Sequence, residues 1–213
     1  MALTFYYGAG SPYAWRVWLA LEHKRIRYEL KVMSFSDGDL KQPEFAALNP
    51  RRKVPVIVDD GFPLYESAAI LEYLDEGYDE TPRLFPGNIG QRALVRRMVR
   101  EADQYAHAAM EALVVGVLYT PREQWDEASL TRARTRLGEE LALWETMIVG
   151  DGLAGEISAA DFTLYPIIAL ALRIDRKKPE LDIRGLIGVR LAAWMHRIEA
   201  LPYFASTWPS HWT

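Results

Sequence analysis

The sequence predicts a small α/β domain followed by an all-helical domain, and three observations support this. Strand and helix patterns alternate over about the first eighty residues, strand signals then stop, and a stretch rich in turn residues separates the two regions. The first region runs strand, helix, strand, long connection, hairpin, helix, which makes a sheet of about four strands. Its first two strands should be parallel, because a helix crosses between them.

Apolar spacing places the elements of the first region. Strands show alternation or short buried runs, whereas helices show apolar residues at i, i+3, i+4 and i+7. On this basis the chain has strand patterns at residues 3–7, 28–32, 54–58 and 62–64, and helix faces at residues 14–21 and 67–74. Residues 8–10 (Gly-Ala-Gly) end the first strand, residues 59–61 (Asp-Asp-Gly) turn the hairpin, and Gly77 ends the last helix.

The second region contains only helix patterns. They cover residues 91–119, 124–149, 158–172 and 186–200, which predicts a helical bundle. Ser158 and Asp161 stand at the capping-box spacing in front of the third of these helices. The predicted domain boundaries are therefore residues 1–79 for the α/β domain, 80–90 for a linker and 91–213 for the all-helical domain.

Composition excludes several classes of function. The net charge of −4 is spread over intermixed acidic and basic residues, which argues against a nucleic-acid partner. No apolar run approaches the roughly 18 residues of a membrane span, and the first residues lack a basic signal-peptide region, so we expect a cytoplasmic protein. Without cysteine, the chain has no disulfide and no thiol nucleophile of its own. The four histidines show no ligand spacing, so no metal is expected.

Ser11, followed by Pro12, is the first candidate for chemistry. The pair fits a plain helix start, with Ser11 as the N-cap and Pro12 as the first helical residue. The position also lies beyond the carboxyl end of the first strand, where open α/β sheets bind ligands, and a hydroxyl at a helix N-terminus favours an anion such as a thiolate. Residue 14 is Ala, so no capping box commits Ser11 to structure alone. Tyr6 and Tyr7 are rival hydroxyls, ranked second because they lie inside the strand.

Glu66 and Ser67, at the start of the last helix of the first region, form the second candidate pair. As plain structure, Ser67 would cap the helix and Glu66 would be solvated. As a binding site, Ser67 and nearby backbone N–H groups would hold a carboxylate while Glu66 accepts from an ammonium group. The two ends of an amino-acid zwitterion would then be held in one place.

Two segments together resemble the soluble glutathione transferase family. Residues 49–56 read Asn-Pro-Arg-Arg-Lys-Val-Pro-Val, and residues 65–74 read Tyr-Glu-Ser-Ala-Ala-Ile-Leu-Glu-Tyr-Leu. They are similar to the family's "NP..KVP" and "ES.AI..YL" segments at the family's usual separation. The capping box at 158–161 also resembles one in the family's second domain. The resemblance covers the whole chain and implies a thioredoxin-like first domain, a helical second domain and a glutathione site between them.

The resemblance also implies site residues. The implied glutathione-binding residues are Ser11, Lys41, Lys53, Val54, Glu66 and Ser67, with Pro55 as a structural cis-proline. The backbone of Val54 would pair with the cysteinyl part of glutathione like an added strand. Glu66 and Ser67 would hold the γ-glutamyl end, and the two lysines would face the glycine carboxylate.

The catalytic role falls to Ser11, which stands where the serine-type classes (theta, zeta and tau) carry their hydroxyl. Arg16 follows five residues later, as in zeta-like sequences, and would add positive potential. The omega and beta classes put a cysteine near this place, and its absence here disfavours their disulfide exchange. The resemblance further implies a homodimer, with Asp103 reaching the ligand of a partner subunit.

The resemblance leaves the reaction and the second substrate open. A transferase would add the sulfur of glutathione to an electrophilic carbon, whereas a zeta-like isomerase would use glutathione as a reusable cofactor. The usual zeta run Ser-Ser-Cys is replaced here by Ser-Pro-Tyr at residues 11–13. A non-catalytic binding module is a third alternative. The candidate residues for the second-substrate site are Tyr105, Met110, Trp208 and Trp212.

Overall fold

A computed structural model describes residues 2–212. Within this range the chain forms two compact units. Residues 2–85 and 202–212 make up the first unit, and Pro86–Leu201 make up the second.

The first unit contains a four-stranded mixed sheet. The strands are β1 (Leu3–Gly8), β2 (Tyr28–Met33), β3 (Val56–Asp59) and β4 (Phe62–Tyr65), in the order β2-β1-β3-β4. The β1–β2 pair is parallel, as the crossover predicted, and the β1–β3 and β3–β4 pairs are antiparallel. Phe5, at the centre, stands opposite Leu30 on one side and Ile57 on the other.

Helices cover both faces of this sheet. They are α1 (Pro12–His23), α2 (Pro43–Leu48) and α3 (Ser67–Gly77), and α1 packs against α3. Because successive strand residues point to opposite faces, Tyr7 lies against Trp18 of α1 while Tyr6 lies against Phe45 of α2. The sequence showed α2 only as a polar connection, because Phe45 is the one buried residue that it contributes.

Helices make up most of the second unit. Its first helix runs without interruption over α4 (Ile89–Glu101), a wider π-helical turn at Ala102–Ala106, α5 (His107–Val114) and a second π-helical turn at Val115–Tyr119. The remaining helices are α6 (Glu127–Met147), α7 (Ala159–Leu172), α8 (Ile174–Lys177) and α9 (Val189–Glu199). All side chains from Ala159 to Ala171 are buried, so α7 is the core of this unit. Between residues 2 and 212, no helix has both the length and the apolar character of a membrane span.

The predicted capping box at the start of α7 is present, and its Asp161 also binds residues outside α7. Asp161 accepts hydrogen bonds from the backbone N–H and the hydroxyl of Ser158, both at 2.8 Å. It also accepts from the backbone N–H of Leu153 at 2.8 Å and from the indole N–H of Trp194 at 2.7 Å. One buried carboxylate therefore joins α7, the loop before it and α9.

The last described residues lie elsewhere than the predicted domain 91–213 implies. Residues 202–212, which include the short helix α10 (Phe204–Thr207), cluster with the first unit. The indole N–H of Trp15 in α1 donates to the hydroxyl of Thr207 at 2.9 Å. The rings of Trp208 and Trp212 stand almost perpendicular to the Trp15 ring, with centroids 5.3 and 5.4 Å away. Aromatic packing on α1 thus holds this segment.

Candidate functional site

Ser11 lies in the turn from β1 to α1. Its backbone N–H donates to the carbonyl of Gly8 at 3.1 Å, and the turn needs a glycine at Gly10, where φ is +86°. The hydroxyl oxygen of Ser11 accepts from the backbone N–H of Ala14 at 3.2 Å, and Pro12 is the first helical residue. The predicted helix cap is therefore confirmed. A hydroxyl has one donor and two acceptor positions, so this bond leaves the Ser11 proton available for a ligand.

The rival hydroxyl of Tyr7 is buried at the end of β1. The side chain is 3% exposed and packs edge-on against Trp18, with ring centroids 4.6 Å apart. Burial raises the pKa of Tyr7 to about 12, against a smaller lowering effect of the Gly10 backbone. Tyr7 therefore remains protonated at neutral pH. Tyr6 lies on the other face of the sheet, with the ammonium of Lys31 5.4 Å from its ring centroid.

The segment before β3 forms a tight turn around Asn49, which is 2% exposed. Its side-chain N–H donates to the backbone carbonyl of Lys53 at 2.8 Å. Its side-chain oxygen, Oδ1, accepts from the backbone N–H of Arg51 at 2.9 Å. The Val54–Pro55 peptide bond that follows is cis. Val54 is buried, whereas the Lys53 side chain is exposed. Asn49 belongs to the motif at residues 49–56, but its role in holding this turn is visible only in the structure.

Glu66 and Ser67 stand at the start of α3, one position away from the expected arrangement. Glu66 occupies the cap position and Ser67 is already the first helical residue, so the prediction that Ser67 caps α3 is wrong. Glu66 adopts φ 69° and ψ 102°, a conformation that non-glycine residues rarely take and that clusters at functional sites. The Glu66 side chain is exposed and Ser67 is 6% exposed.

The three basic side chains that the resemblance implied, Lys41, Lys53 and Arg16, differ in exposure. Lys53 and Lys41 are exposed, and Lys41 ends a short helical turn, Asp39–Lys41, just before α2. Arg16 is only 2% exposed, and its guanidinium lies 4.9 Å from the ring centroid of Tyr13. Its charge is therefore held inside the unit next to the first turns of α1.

The candidates for the second-substrate site are spread over both units and differ in exposure. Tyr105, in the first π-helical turn, is 53% exposed, whereas Met110 in α5 is 1% exposed. Trp208 is half-buried and Trp212 is 1% exposed. Met110 and Trp212 thus serve the cores of their units, and Tyr105 and Trp208 keep surface for a ligand.

Among residues 2–212, no three His, Cys, Asp or Glu side chains come together in a way that could hold a metal ion.

Known proteins resemble this chain along its whole length. The model of the family "Glutathione S-transferase, N-terminal domain" matches residues 10–76. Glutathione S-transferase 4 of Zea mays is 32% identical over 213 residues, covering 97% of this chain and 86% of the relative. The chain belongs to the glutathione S-transferase family. Within that family, a maleylacetoacetate isomerase of Dictyostelium discoideum is 39% identical over 201 residues, covering 90% of each chain.

A solved structure of the family shares this fold. The glutathione S-transferase of the Antarctic clam Laternula elliptica superposes with a TM-score of 0.84 at 29% identity, covering 100% of this chain and 94% of the clam protein. The predicted fold class, a thioredoxin-like first domain with a helical second domain, is confirmed.

Proposed function

We propose that this glutathione S-transferase uses the Ser11 hydroxyl to hold the sulfur of glutathione as a thiolate, which then attacks an electrophilic carbon. The observation that carries the proposal is the geometry of Ser11. Its oxygen is already engaged by the backbone N–H of Ala14 at the first turn of α1, and its proton is left to donate. A donor at the positive end of a helix stabilises an anion more than the neutral thiol.

The Ser11 hydrogen bond and the N-terminus of α1 together can supply the free energy that lowers the pKa of the glutathione thiol. A free thiol has a pKa near ~8.5, and lowering it by about two units takes about 2.7 kcal/mol. A hydrogen bond to a charged group contributes about 1.5–3 kcal/mol, and a helix end about 0.3–1 kcal/mol. The electron pair of the thiolate then forms the new carbon–sulfur bond, and the leaving group departs with its own electron pair.

The remaining parts of glutathione have candidate partners in the same unit. Glu66, exposed and in a strained conformation, and Ser67, at the first turn of α3, would hold the γ-glutamyl end. The exposed ammonium groups of Lys41 and Lys53 suit the glycine carboxylate, and the backbone of Val54 suits the cysteinyl peptide.

Three substitutions of Ser11 separate its chemical role from its capping role. Ser11→Gly costs a helix cap only a few tenths of a kcal/mol, whereas Ser11→Ala costs about 1 kcal/mol. Both variants lack the hydroxyl, so both should lose at least about tenfold in kcat with an aromatic halide, while Ser11→Thr keeps partial activity. Glutathione affinity should change little. The proposal fails if Ser11→Gly turns over like the wild type.

A glutathione-dependent isomerisation is the second candidate, because the Dictyostelium discoideum relative is a maleylacetoacetate isomerase. In that reaction the same thiolate would add to the substrate and leave again. Product analysis separates the two, since conjugates keep the sulfur and isomers release glutathione intact. A chain that does not bind immobilised glutathione would instead favour the non-catalytic binding module.

We also infer a homodimer, as the family resemblance implies, and a cytoplasmic location. Sedimentation at micromolar protein concentration should give twice the mass of one chain, and a monomer would contradict the assignment.

A further inference from the structure

The last described residues of the chain are fixed against α1 by several contacts. Trp15 binds Thr207 through a 2.9 Å hydrogen bond and packs against Trp208 and Trp212. The backbone N–H of Trp212 donates to the carbonyl of Pro209 at 2.9 Å, which closes a turn around Ser210 and His211. The position of His211 is therefore determined by packing on both sides.

This packing places the imidazole of His211 directly on the turn before Ser11. A Cβ atom built on Gly10 would lie 2.9 Å from Nε2 and 3.1 Å from Cε1 of His211, closer than carbon atoms pack. Consecutive Cα atoms are 3.8 Å apart, so His211 Nε2 lies at most about 8 Å from the Cα of Ser11. His211 therefore lies beside the turn that carries the Ser11 hydroxyl, to which the proposed function assigns the sulfur of glutathione. His211 is itself exposed, so its ring exchanges protons with water.

Within residues 8–16 and 202–212, no other side chain suits a proton acceptor at neutral pH. Neither residues 8–16 nor residues 202–212 contain a carboxylate, and the chain has no cysteine. Burial holds the pKa of Tyr7 at about 12, Tyr13 is a second phenol, and Arg16 is a permanent cation. Histidine is the side chain whose ordinary pKa lies near neutrality.

We propose that His211 accepts the thiol proton of bound glutathione. The S–H bond breaks with its electron pair left on sulfur, and the proton forms an N–H bond at Nε2 of the neutral ring. The thiolate then carries a hydrogen bond from Ser11 and faces the imidazolium, which releases the proton to water after the carbon–sulfur bond forms. This inference rests on the proposed function and adds the group that takes the proton.

His211→Gln tests this role, with His196→Gln as the matched control because His196 is an exposed histidine of α9. The ultraviolet absorbance of the thiolate, followed against pH in the glutathione complex, should show the bound thiol titrating about one unit higher in His211→Gln. Below that pH, kcat should fall about tenfold and approach the wild-type value in alkali, because one pKa unit is a tenfold change in thiolate. The control should titrate like the wild type.

His211→Phe distinguishes proton transfer from packing. It keeps a ring against Gly10 but removes both ring nitrogens, so the proposal expects the same raised thiol pKa and lowered kcat as in His211→Gln. A packing role expects the Phe variant to retain activity. Wild-type titration and kcat in either variant would overturn the inference. If Ser11→Gly still loses turnover in that case, the proposed function stands without His211; a wild type that forms no conjugate would overturn both.

Discussion

At the scale of single residues, Gly10 and Asp161 each stand at a position that requires one type of residue. Gly10 combines a positive φ with the close approach of His211, so both its conformation and its missing Cβ are used. Asp161 is fully buried, yet it accepts four hydrogen bonds that hold three parts of the second unit. Each residue has a matched control: Gly38 for Gly10, and Asp126 for Asp161.

Gly10→Ala should destabilise the protein more than Gly38→Ala. Both glycines have positive φ, +86° and +84°, so each substitution carries a similar conformational cost of about 1 kcal/mol. Nothing lies within 4 Å of a Cβ at Gly38, whereas a Cβ at Gly10 would displace His211. Chemical denaturation should therefore show an additional loss for Gly10→Ala. Equal losses would mean that the His211 contact adds nothing.

Asp161→Asn should lower the free energy of unfolding by about 3 kcal/mol, because the amide group meets N–H donors where a carboxylate oxygen accepted them. Asp126→Asn is the control. Asp126 is exposed and caps α6 through Ala128 and Ser129, and asparagine caps a helix equally well. Urea denaturation of the two variants makes the comparison. A loss at Asp161 no larger than at Asp126 would contradict the assigned role.

At the scale of elements, a buried ion pair joins the ends of two helices of the first unit. Lys24, just after α1, is 0% exposed and lies 3.7 Å from the carboxylate of Asp75 in α3. Its ammonium also donates to the carbonyl of Pro82 at 3.1 Å, and Asp75 accepts from the backbone N–H of Leu84 at 2.6 Å. The segment leading out of the first unit is thereby attached to both helices.

Lys24→Met should destabilise the first unit by about 3 kcal/mol, because it leaves the Asp75 carboxylate buried without its cation. Arg83→Met is a weaker perturbation, since Arg83 is 38% exposed and lies 3.9 Å from Asp75. We expect the Arg83 variant to lose about 1 kcal/mol or less. Thermal and urea unfolding measure both, and a reversed order would show that Arg83, and not Lys24, neutralises Asp75.

At the scale of the whole molecule, segments from the two halves of the described sequence meet in one unit. His23, at the end of α1, forms a 2.8 Å hydrogen bond between its Nδ1 and the hydroxyl of Tyr203 in the C-terminal segment. Burial, followed by the charges of Lys24 and Arg25, lowers the pKa of His23 to about 4. The folded protein therefore holds His23 neutral under conditions in which the unfolded chain would charge it.

The free energy of unfolding should fall as the pH drops from about 6.5 to about 4. Over that range the unfolded chain binds one more proton at His23 than the folded protein does, so acid favours unfolding, by at most about 3 kcal/mol. Stability from this group is complete above the unfolded pKa and is lost toward the folded one. His23→Gln should flatten the curve by that amount in urea titrations at several pH values. An unchanged slope would show that His23 does not titrate in this way.

Local patterns were sufficient for most elements and for part of the site. The strands, the four long helices and the Ser11 and Ser158 caps were predicted, since periodicity and capping act over a few residues. The position of Glu66 was not, because its positive φ depends on how β4 meets α3. The helix α2 was also missed, since a six-residue helix that buries only Phe45 has almost no periodic signal.

The sequence by itself determined the order of most elements and the place of Ser11, because each depends on local spacing, and its motifs carried the resemblance to the family. Only the tertiary structure decided that residues 202–212 pack on the first unit and that His211 lies beside the turn before Ser11. The Trp15–Thr207 hydrogen bond joins residues 192 positions apart, and no local pattern encodes such a contact. Packing of the rings of Trp15, Trp208 and Trp212 against one another holds the C-terminal segment on α1 and brings His211 to Gly10. Long-range apolar packing thus decides the surroundings of a residue that local capping had already positioned.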